Sequence, residues 1–339
     1  MKFYKNKGTF IIAELALSHE GSLGQVYSYI DALSNIGVDA VKLQHHSSEF
    51  ESSSQEKFRV KIFPQDKTRS DYWSRTSFSE KEWKGISKKC KQKNIYFACT
   101  PFSINSLEVL KKVGVDLLKI GSGESFSSPD LIDLCLESKL PVLISTGMAS
   151  NKEINLLQKK IKKSKNFAAI MQCTSMYPTP LEKVGLNILD KFKKSGIPTG
   201  LSDHSGKLSP SLFCIANGYD FLEVHVCFDK RMFGPDIKAS LTLDEVSQLV
   251  SFRNELNILN ENPINKDDIY EEMKDMRYLF GRSITLKNSK KKGSILKKED
   301  IIMKKPGTGL SYEYLPKVLN KKFIKDFPAN HFISLEDLT

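Results

Sequence analysis

The sequence predicts an α/β protein, a (β/α)8 barrel of the TIM-barrel type followed by a small, mostly β module. Short apolar runs of strand length alternate with amphipathic segments of helix length, which indicates a parallel sheet wound with helices. The runs are apolar throughout, as parallel strands buried on both faces should be. Eight runs, the number that closes such a barrel, lie at 9–17, 40–44, 95–100, 117–122, 142–146, 168–173, 199–204 and 222–228.

Glycines mark the junctions between helices and strands. Gly-x-Asp tripeptides begin at Gly37, Gly114 and Gly218, each just before an apolar run. Glycine adopts the left-handed conformation that closes a helix at little cost, so each is expected at a helix end. The clearest helical segments are 23–36, 80–93, 105–113 and 152–163.

The connection 45–79 is long and polar, and it includes Pro64, Tyr72 and Trp73. Long connections in compact domains are often functional. Because this one leaves the carboxyl end of a barrel strand, we predict that it is a lid over the site.

Length and composition limit the class of protein. With 339 residues the chain exceeds the usual size of one core, and its apolar fraction of 40% argues against intrinsic disorder. No apolar run approaches the ~20 residues that cross a membrane. The first run is interrupted by Glu14 and lacks a cleavage site, so it is interpreted as a core strand rather than a signal peptide.

The predicted division of the chain into domains is a barrel at 1–265, a linker at 266–277 and the module at 278–339.

The chain is basic, with a net charge of +11, and residues 278–339 hold 13 basic against 6 acidic side chains, a net charge of +7. The favoured interpretation of this basic segment is a solvated lysine-rich surface. The alternatives are that it attracts an anionic small molecule or that it attracts nucleic acid. Aromatic residues do not alternate with the basic ones, so no nucleic-acid partner is expected. Six cysteines without a Cys-x-x-Cys pair indicate reduced, buried thiols and a cytoplasmic protein.

Polar residues stand at the carboxyl ends of the strands, where barrels place their catalytic groups. Lys42 and Lys119 lie inside apolar runs, where a charge is costly unless it meets an anion. The alternative is that each lysine reaches solvent or pairs with a structural carboxylate. With hydroxyls at the ends of five strands, the lysines predict a site for a small phosphorylated or carboxylated ligand. These hydroxyls are Thr100, Ser122, Ser145, Ser175 and Ser202.

His204 and His225 end neighbouring strands, beside Asp203 and Glu223 respectively. Two imidazoles without thiolates predict a divalent ion with positions left open for water and substrate oxygens, Mn²⁺ being favoured. A core or capping role is the alternative, and a closed structural zinc site is disfavoured.

Two glutamates are candidate acid–base residues. They are Glu14 and Glu124, with a structural salt bridge to a lysine as the alternative for each. His45 and His46 are expected to be loop residues.

Several motifs together resemble the sialic acid synthases and the related enzymes that make other nonulosonic acids. No single motif is decisive, but their order and spacing are specific and extend along nearly the whole chain. They are Phe10-Ile11-Ile12-Ala13-Glu14, His19-Glu20-Gly21, Asp39-Ala40-Val41-Lys42-Leu43-Gln44, Thr100-Pro101-Phe102-Ser103, Lys119-Ile120-Gly121-Ser122-Gly123-Glu124, Ser145-Thr146-Gly147-Met148, Tyr177-Pro178-Thr179-Pro180, Gly200-Leu201-Ser202-Asp203-His204 and Gly234-Pro235-Asp236.

The resemblance implies that phosphoenolpyruvate condenses with the open-chain aldehyde of an N-acylated hexosamine. N-acetylmannosamine is favoured, which would give N-acetylneuraminate and phosphate. A divalent metal is implied, Mn²⁺ being favoured over Mg²⁺ and Co²⁺. The C-terminal module is expected to be of the antifreeze-like (SAF) type, which in the family covers the partner's barrel in a domain-swapped homodimer. Gly281-Arg282-Ser283 and Lys305-Pro306-Gly307-Thr308-Gly309 match that module.

The resemblance also implies roles for individual residues. The metal is expected on His204 and His225, and the proton transfers near Glu14 and Glu124. Phosphoenolpyruvate is expected to contact Lys42, Thr100, Lys119, Ser122, Ser145, Ser175 and Ser202. The sugar is expected to contact Gln44, Tyr177, Asp236 and Lys305.

Three positions depart from the family. Ser18 stands where Asn is frequent, and Ser175 where some members have Asn. Lys305 replaces an Arg that reaches the partner's sugar site in characterised relatives, and lysine lacks the planar fork of arginine. The identity of the acceptor sugar therefore stays open. The alternatives are a di-N-acylated deoxyhexose giving a legionaminate- or pseudaminate-type product, a sugar phosphate, which the lack of an Arg-rich pocket disfavours, and a nucleic-acid-binding role.

Overall fold

A computed structural model of the chain describes residues 8–61 and 63–339. The fold divides between Glu261 and Asn262 into two compact units. The first unit contains the barrel, and the second is a small module.

Eight parallel strands form the barrel. They pair in sequence order from the first to the eighth, and the eighth pairs with the first, which closes the sheet and confirms the predicted (β/α)8 barrel. A two-residue strand, β9 (Leu241–Thr242), pairs with the end of the eighth. The barrel strands are β1 (Phe10–Ala16), β2 (Ala40–His45), β3 (Tyr96–Pro101), β4 (Leu117–Ile120), β5 (Val142–Ser145), β6 (Ala168–Cys173), β7 (Thr199–Asp203) and β8 (Phe221–Cys227).

The helices of the first unit begin and end where local side chains dictate. The hydroxyl of Ser22 accepts a hydrogen bond from the backbone N–H of Gln25 at the start of α1, and Gly37 ends that helix with a φ of 88°. Gly114 and Gly218 also have positive φ, so the three predicted glycines occupy the left-handed conformation. The helices are α1 (Leu23–Ile36), α2 (Ser48–Glu51), α3 (Arg69–Thr76), α4 (Glu80–Gln92), α5 (Ile104–Val113), α6 (Glu124–Ser127), α7 (Pro129–Glu137), α8 (Asn151–Lys163), α9 (Asn187–Lys193), α10 (Leu208–Ala216) and α11 (Leu243–Glu261).

Apolar side chains fill the barrel interior, mainly where the strands begin. Large and small residues alternate in this cluster, so that the aromatic ring of Phe221 and the side chain of Met171 fit among alanines. Gly200 on β7 is required between them, because a Cβ there would lie 2.6 Å from Phe221 Cβ and 2.7 Å from Met171 Sδ. The polar side chains are thereby confined to the opposite ends of the strands.

The connection 45–79, predicted as a lid, has an apolar cluster of its own. Phe63, Tyr72 and Trp73 are buried together with Leu17, which follows β1. Arg75 donates to Asp66, with 2.7 Å between Nη2 and Oδ2. The described residues of the connection thus include an ordered cluster packed against the end of β1, and movement of the connection as a lid stays a prediction.

The second unit has a small core of its own around an antiparallel hairpin. Its elements are α12 (Lys266–Glu272), α13 (Lys274–Phe280), β10 (Ser283–Leu286), β11 (Ile301–Lys304) and α14 (Leu315–Val318). The segment expected as a linker, 266–277, is helical, because Asn265 accepts the amide of Asp267 and caps α12. The strands match the β-like character expected of this region.

Two further expectations concern thiols and membranes. All six cysteines are buried and free, as predicted. In the parts of the chain that the structure describes, no helix is both long and apolar enough to cross a bilayer.

Replacing Gly200 by Ala is expected to destabilise the protein by about 1–3 kcal/mol, because the new methyl group collides with Phe221 and Met171. The matched control is Gly24→Ala in α1, where only Ser22 Oγ lies near, at 3.8 Å, and alanine favours the helix. Urea denaturation followed by circular dichroism measures both. A G200A protein as stable as the wild type would contradict this account of the barrel interior.

Candidate functional site

A cavity of about 340 Å³ opens where the barrel strands end. It brings together most of the residues predicted from the strand ends, and Ser202 joins them through a 3.1 Å hydrogen bond with Ser145. Asp236 lies in an adjoining outer chamber, and Lys305 belongs to the second unit. The predicted residues that line the cavity are Glu14, Lys42, Gln44, Thr100, Lys119, Ser122, Glu124, Ser145, Ser175, Tyr177, His204 and His225.

Four buried charges of alternating sign form the floor of the cavity. Lys42 Nζ lies 2.7 Å from Glu14 Oε2 and 3.7 Å from Glu223 Oε1. Lys119 Nζ lies 3.8 Å from the same oxygen of Glu223. Both lysines therefore have a carboxylate nearby, which was the alternative interpretation, and also face the cavity. Their binding of an anion stays a prediction.

Burial changes the proton affinity of this cluster. Burial raises the pKa of Glu14 to about 7, although the contact with Lys42 opposes the shift. Burial also lowers the pKa of Lys119, and Glu223 counters only part of that effect. For Lys42 the same burial is outweighed by Glu14 and Glu223, so its pKa is raised. Glu14 is therefore a carboxyl group that can hold or release a proton near neutral pH.

Hydroxyl groups line the wall beside Lys119. Its ammonium group lies 2.5 Å from Ser145 Oγ. Ser122 Oγ accepts the amide of Gly147 at 3.0 Å, and Thr100 Oγ1 lies 3.2 Å from Lys42 Nζ. Ser175 Oγ is buried and has no hydrogen-bond partner among the described residues. An unpaired buried hydroxyl is costly unless a ligand satisfies it, so this wall suits an oxygen-rich anion.

His204 and His225 face each other, with 5.1 Å between ring centroids and an interplanar angle of 64°. Tyr177 stacks on His204 at 4.2 Å. His204 Nδ1 lies 3.1 Å from the carbonyl oxygen of Thr174. His225 Nδ1 is buried without a partner among the described residues, and burial together with His204 keeps the pKa of His225 well below its usual value.

A neutral imidazole with an unused nitrogen is suited to ligate a metal. No cluster of three or more His, Cys, Asp or Glu side chains suited to a metal occurs within residues 8–61 and 63–339. The pair His204 and His225 thus fits an ion that takes its other ligands from substrate and water, and it does not fit a closed protein site.

Glu124 lies at the start of α6 and faces both the cavity and the outer chamber. Burial raises its pKa. Gly121 leaves the room that this side chain needs, because a Cβ there would lie 2.5 Å from Glu124 Oε2. The second candidate acid is therefore at the cavity edge rather than in the charged floor.

The outer chamber, of about 550 Å³, is built largely from the connection 45–79. Arg59 lies over the ring of Tyr177 at 4.4 Å and donates to Asp236 at 2.5 Å. Arg69 lies over Trp73 at 4.7 Å. Aromatic rings and paired charges therefore surround the entrance to the cavity.

His45 is not the loop residue that we expected, whereas His46 does lie in the connection, between β2 and α2, in a buried position. His45 is the last residue of β2, its ring packs on Trp83, and its Nδ1 lies 3.0 Å from Ser106 Oγ. His46 is buried between Trp73 and Phe102. Both rings are therefore structural parts of the barrel end.

Residues 29–262 match the model of the NeuB family. The chain belongs to the NeuB family. It is 30% identical to N,N'-diacetyllegionaminic acid synthase of Campylobacter jejuni over 332 residues, which cover 94% of this chain and 98% of that protein. It is 31% identical to pseudaminic acid synthase of the same species over 331 residues, covering 96% and 95%.

The crystal structure of N-acetylneuraminic acid (sialic acid) synthetase from Leptospira borgpetersenii in complex with citrate is similar to this NeuB-family chain. The two are 29% identical, with a TM-score of 0.68, over 80% of this chain and 92% of that one. The resemblance to nonulosonic acid synthases is thus confirmed at the level of the family.

The sequence analysis did not predict the contacts of several residues in this NeuB-family site. Glu223 was noted beside His225 but not as a partner of the two lysines, and Cys173, whose Sγ lies 3.6 Å from His204 Nδ1, was expected only as a buried thiol. Each stands two residues from an inward-facing side chain of the same strand. The period of two along a strand was a signal that could have found them. Arg59 and Arg69 lie in a connection without periodicity, and no sequence signal placed them at the cavity.

Glu14 is expected to titrate near pH 7, because its burial penalises the charged form. Its folded pKa is above the unfolded value, so ionising Glu14 makes the folded state less stable as pH rises towards 7. Infrared difference spectra should show a carboxyl band that is lost across this range and is missing from Glu14→Gln. The control is Glu153→Gln, an exposed helix cap whose pKa is lowered. An unchanged band in E14Q would refute the assignment.

Proposed function

We propose that the chain condenses phosphoenolpyruvate with the open-chain aldehyde of an N-acylated hexosamine to give a nonulosonic acid and phosphate. The single observation that carries this proposal is the cavity in which Lys42, Lys119, His204 and His225 converge. Membership of the NeuB family supports the same conclusion. The enol carbon of phosphoenolpyruvate attacks the aldehyde carbon, water adds at the adjacent carbon, and phosphate leaves with cleavage of its C–O bond.

In this proposal, Lys42 and Lys119 bind the anionic groups of phosphoenolpyruvate. Thr100 and Ser145 place a hydroxyl group beside each ammonium group. Thr100 Oγ1 lies within hydrogen-bond distance of Lys42 Nζ, and Ser145 Oγ within that distance of Lys119 Nζ. The unpaired hydroxyl of Ser175 supplies a further contact. The remaining hydroxyl groups of the proposed phosphoenolpyruvate site are Ser122 and Ser202.

His204 and His225 would hold a divalent cation, with Mn²⁺ favoured over Mg²⁺ and Co²⁺. When bound, such an ion supplies Lewis-acid polarisation of the aldehyde oxygen. The unused nitrogen of His225 supports the assignment. Tyr177, stacked on His204, restrains the orientation of that ring.

Glu14 and Glu124 are the proposed proton carriers. The pKa of Glu14, about 7, allows this carboxyl group to exchange a proton at neutral pH. The raised pKa of Glu124 allows the same at the side of the cavity that faces the outer chamber. Addition of water and protonation of the aldehyde oxygen are the two transfers that need such groups.

The proposed acceptor is an uncharged sugar rather than a sugar phosphate. Arg59 is paired with Asp236, and Arg69 Nε lies 3.3 Å from Glu56 Oε1. These are the basic side chains that line the outer chamber among the described residues, and the pairs leave no excess of positive charge for a second phosphate. We therefore favour N-acetylmannosamine, with Gln44, Tyr177 and Asp236 as its contacts.

A di-N-acylated deoxyhexose is the second candidate acceptor. The relatives named for legionaminic and pseudaminic acid synthesis align with 94% and 96% of this chain. The aromatic lining of the outer chamber, including Phe58, Phe63 and Trp73, also suits the methyl groups of such a sugar.

We further propose that the second unit is an antifreeze-like module and that the protein is a domain-swapped homodimer. Helices α12 and α13 expose large apolar side chains, with Tyr278, Leu279 and Phe280 exposed by 53%, 60% and 58%. A surface of this kind is typical of a buried interface. Lys305, whose ammonium group lies 5.1 Å from the Phe280 ring centroid, is the proposed sugar contact from this module.

Phosphate release from phosphoenolpyruvate is expected only when an N-acylated sugar is present. The test combines Mn²⁺, phosphoenolpyruvate labelled with ¹⁸O at its bridging oxygen, and a panel of free, phosphorylated and di-N-acylated sugars. Mass spectrometry should find the label in phosphate and the condensed acid as product. Preference for a phosphorylated sugar would favour that alternative acceptor, and absence of release with every sugar would overturn the proposal.

The double substitution His204→Gln and His225→Gln is expected to remove Mn²⁺ binding and metal-dependent phosphate release while the melting temperature changes little. Electron paramagnetic resonance of free Mn²⁺ measures binding without reference to activity. His331→Gln in the second unit, where His331 pairs with Asp337, is the matched control. Unchanged Mn²⁺ binding by the double variant would contradict the proposal that His204 and His225 hold the metal.

A further inference from the structure

His46 is a buried residue to which the proposed chemistry gives no role. Its ring lies between Trp73, at 3.7 Å and 10° from parallel, and Phe102, at 4.2 Å and 15°. Its Nδ1 lies 2.6 Å from Glu51 Oε1, and its Nε2 lies 3.0 Å from Gln44 Oε1. The ring is therefore fixed in its plane and at both nitrogens.

The direction of each hydrogen bond follows from the chemistry of the groups. Gln44 Nε2 lies 2.8 Å from Glu14 Oε1, and Glu14 in its ionised form, paired with Lys42, only accepts. The amide NH₂ group of Gln44 must then face Glu14, and its carbonyl oxygen must face His46. Because a carbonyl oxygen only accepts, His46 Nε2 carries a hydrogen.

Glu51 holds the other side of the His46 ring. One of its oxygens lies at His46 Nδ1, and the other accepts the amide of Ser47 at 3.0 Å. One proton lies between Nδ1 and the carboxylate. The chain from Ser47 through Glu51, His46 and Gln44 to Glu14 therefore has a single set of donors and acceptors.

We propose that His46 is a positioning residue that sets the amide of Gln44, so that Gln44 presents an N–H donor to the cavity. One hydrogen of the Gln44 NH₂ group goes to Glu14, and the second is left for a ligand, since Gln44 lines both the cavity and the outer chamber. The acceptor sugar must then offer an oxygen acceptor at this point, either a hydroxyl or an N-acyl carbonyl. This inference rests on the proposed function and specifies how it selects the sugar.

The variant His46→Phe keeps the aromatic stack but loses both hydrogen bonds, which frees the amide of Gln44 to rotate. We expect the KM for the acceptor to rise about tenfold, the size of one well-made hydrogen bond, with the KM for phosphoenolpyruvate within about twofold. His46→Gln, which returns an N–H near the position of Nε2, should recover part of the loss. The matched control is His45→Phe, at the neighbouring residue that bonds Ser106 instead.

An unchanged acceptor KM in a folded H46F protein would overturn the inference, and so would an equal rise in H45F. Thermal denaturation of each variant checks that it folds. If H46F does not fold, H46Q carries the test, with the expectation of a smaller rise in acceptor KM.

Nitrogen-15 NMR of the protein without substrate tests the hydrogen-bond directions independently of activity. His46 Nε2 should be protonated, and the side-chain amide signals of Gln44 should move in H46F but not in H45F. These signals in a protein inactive on every sugar would support the positioning role and refute the proposed function. An unprotonated Nε2 in an active enzyme would refute the positioning role and leave the proposed function standing.

Discussion

The alternation of Glu14, Lys42, Glu223 and Lys119 is the constraint on which the rest of the site depends. Four charges buried at the end of a barrel are costly unless each meets its opposite, and here each lysine lies close to at least one carboxylate. Removing any one of them leaves an uncompensated charge. Thr100 and Ser145 lie within hydrogen-bond distance of its two lysines, and Gln44 donates to Glu14.

The same alternation couples protons to anions. An anion that contacts either lysine competes with a carboxylate already in place. Where that lysine is Lys42, Glu14 loses the ammonium group that stabilises its charged form, so binding of an anion to Lys42 and protonation of Glu14 assist each other. A pKa of about 7 for Glu14 puts this exchange within the range of ordinary cellular pH.

The sequence was informative wherever a regular period operates. The apolar runs predicted all eight barrel strands to within a few residues, and Lys42 and Gln44 on β2 share one face because the period of a strand is two.

Where that regular period ends, prediction from the sequence failed. His45 was expected in a loop although it is the last residue of β2, and the burial of the loop residue His46 was not expected. The segment 266–277, expected as a linker, is helical from Lys266. Arg59 reaches Tyr177 only through the three-dimensional path of the connection, which no local pattern encodes.

The independent apolar cluster of the connection 45–79 has a consequence for how such proteins diversify. Phe63, Tyr72 and Trp73 pack on one another, and among the described residues Leu17 is the buried member of this cluster that lies outside the connection. Residues of the connection that face the outer chamber can therefore change without altering the charged floor, which the strands hold. Glu51 and His46 are the exceptions, because they are linked to the floor through Gln44. Under the proposed function, such changes alter the surroundings of the sugar, while the proposed contacts Gln44, Tyr177 and Asp236 lie outside the connection and keep their places.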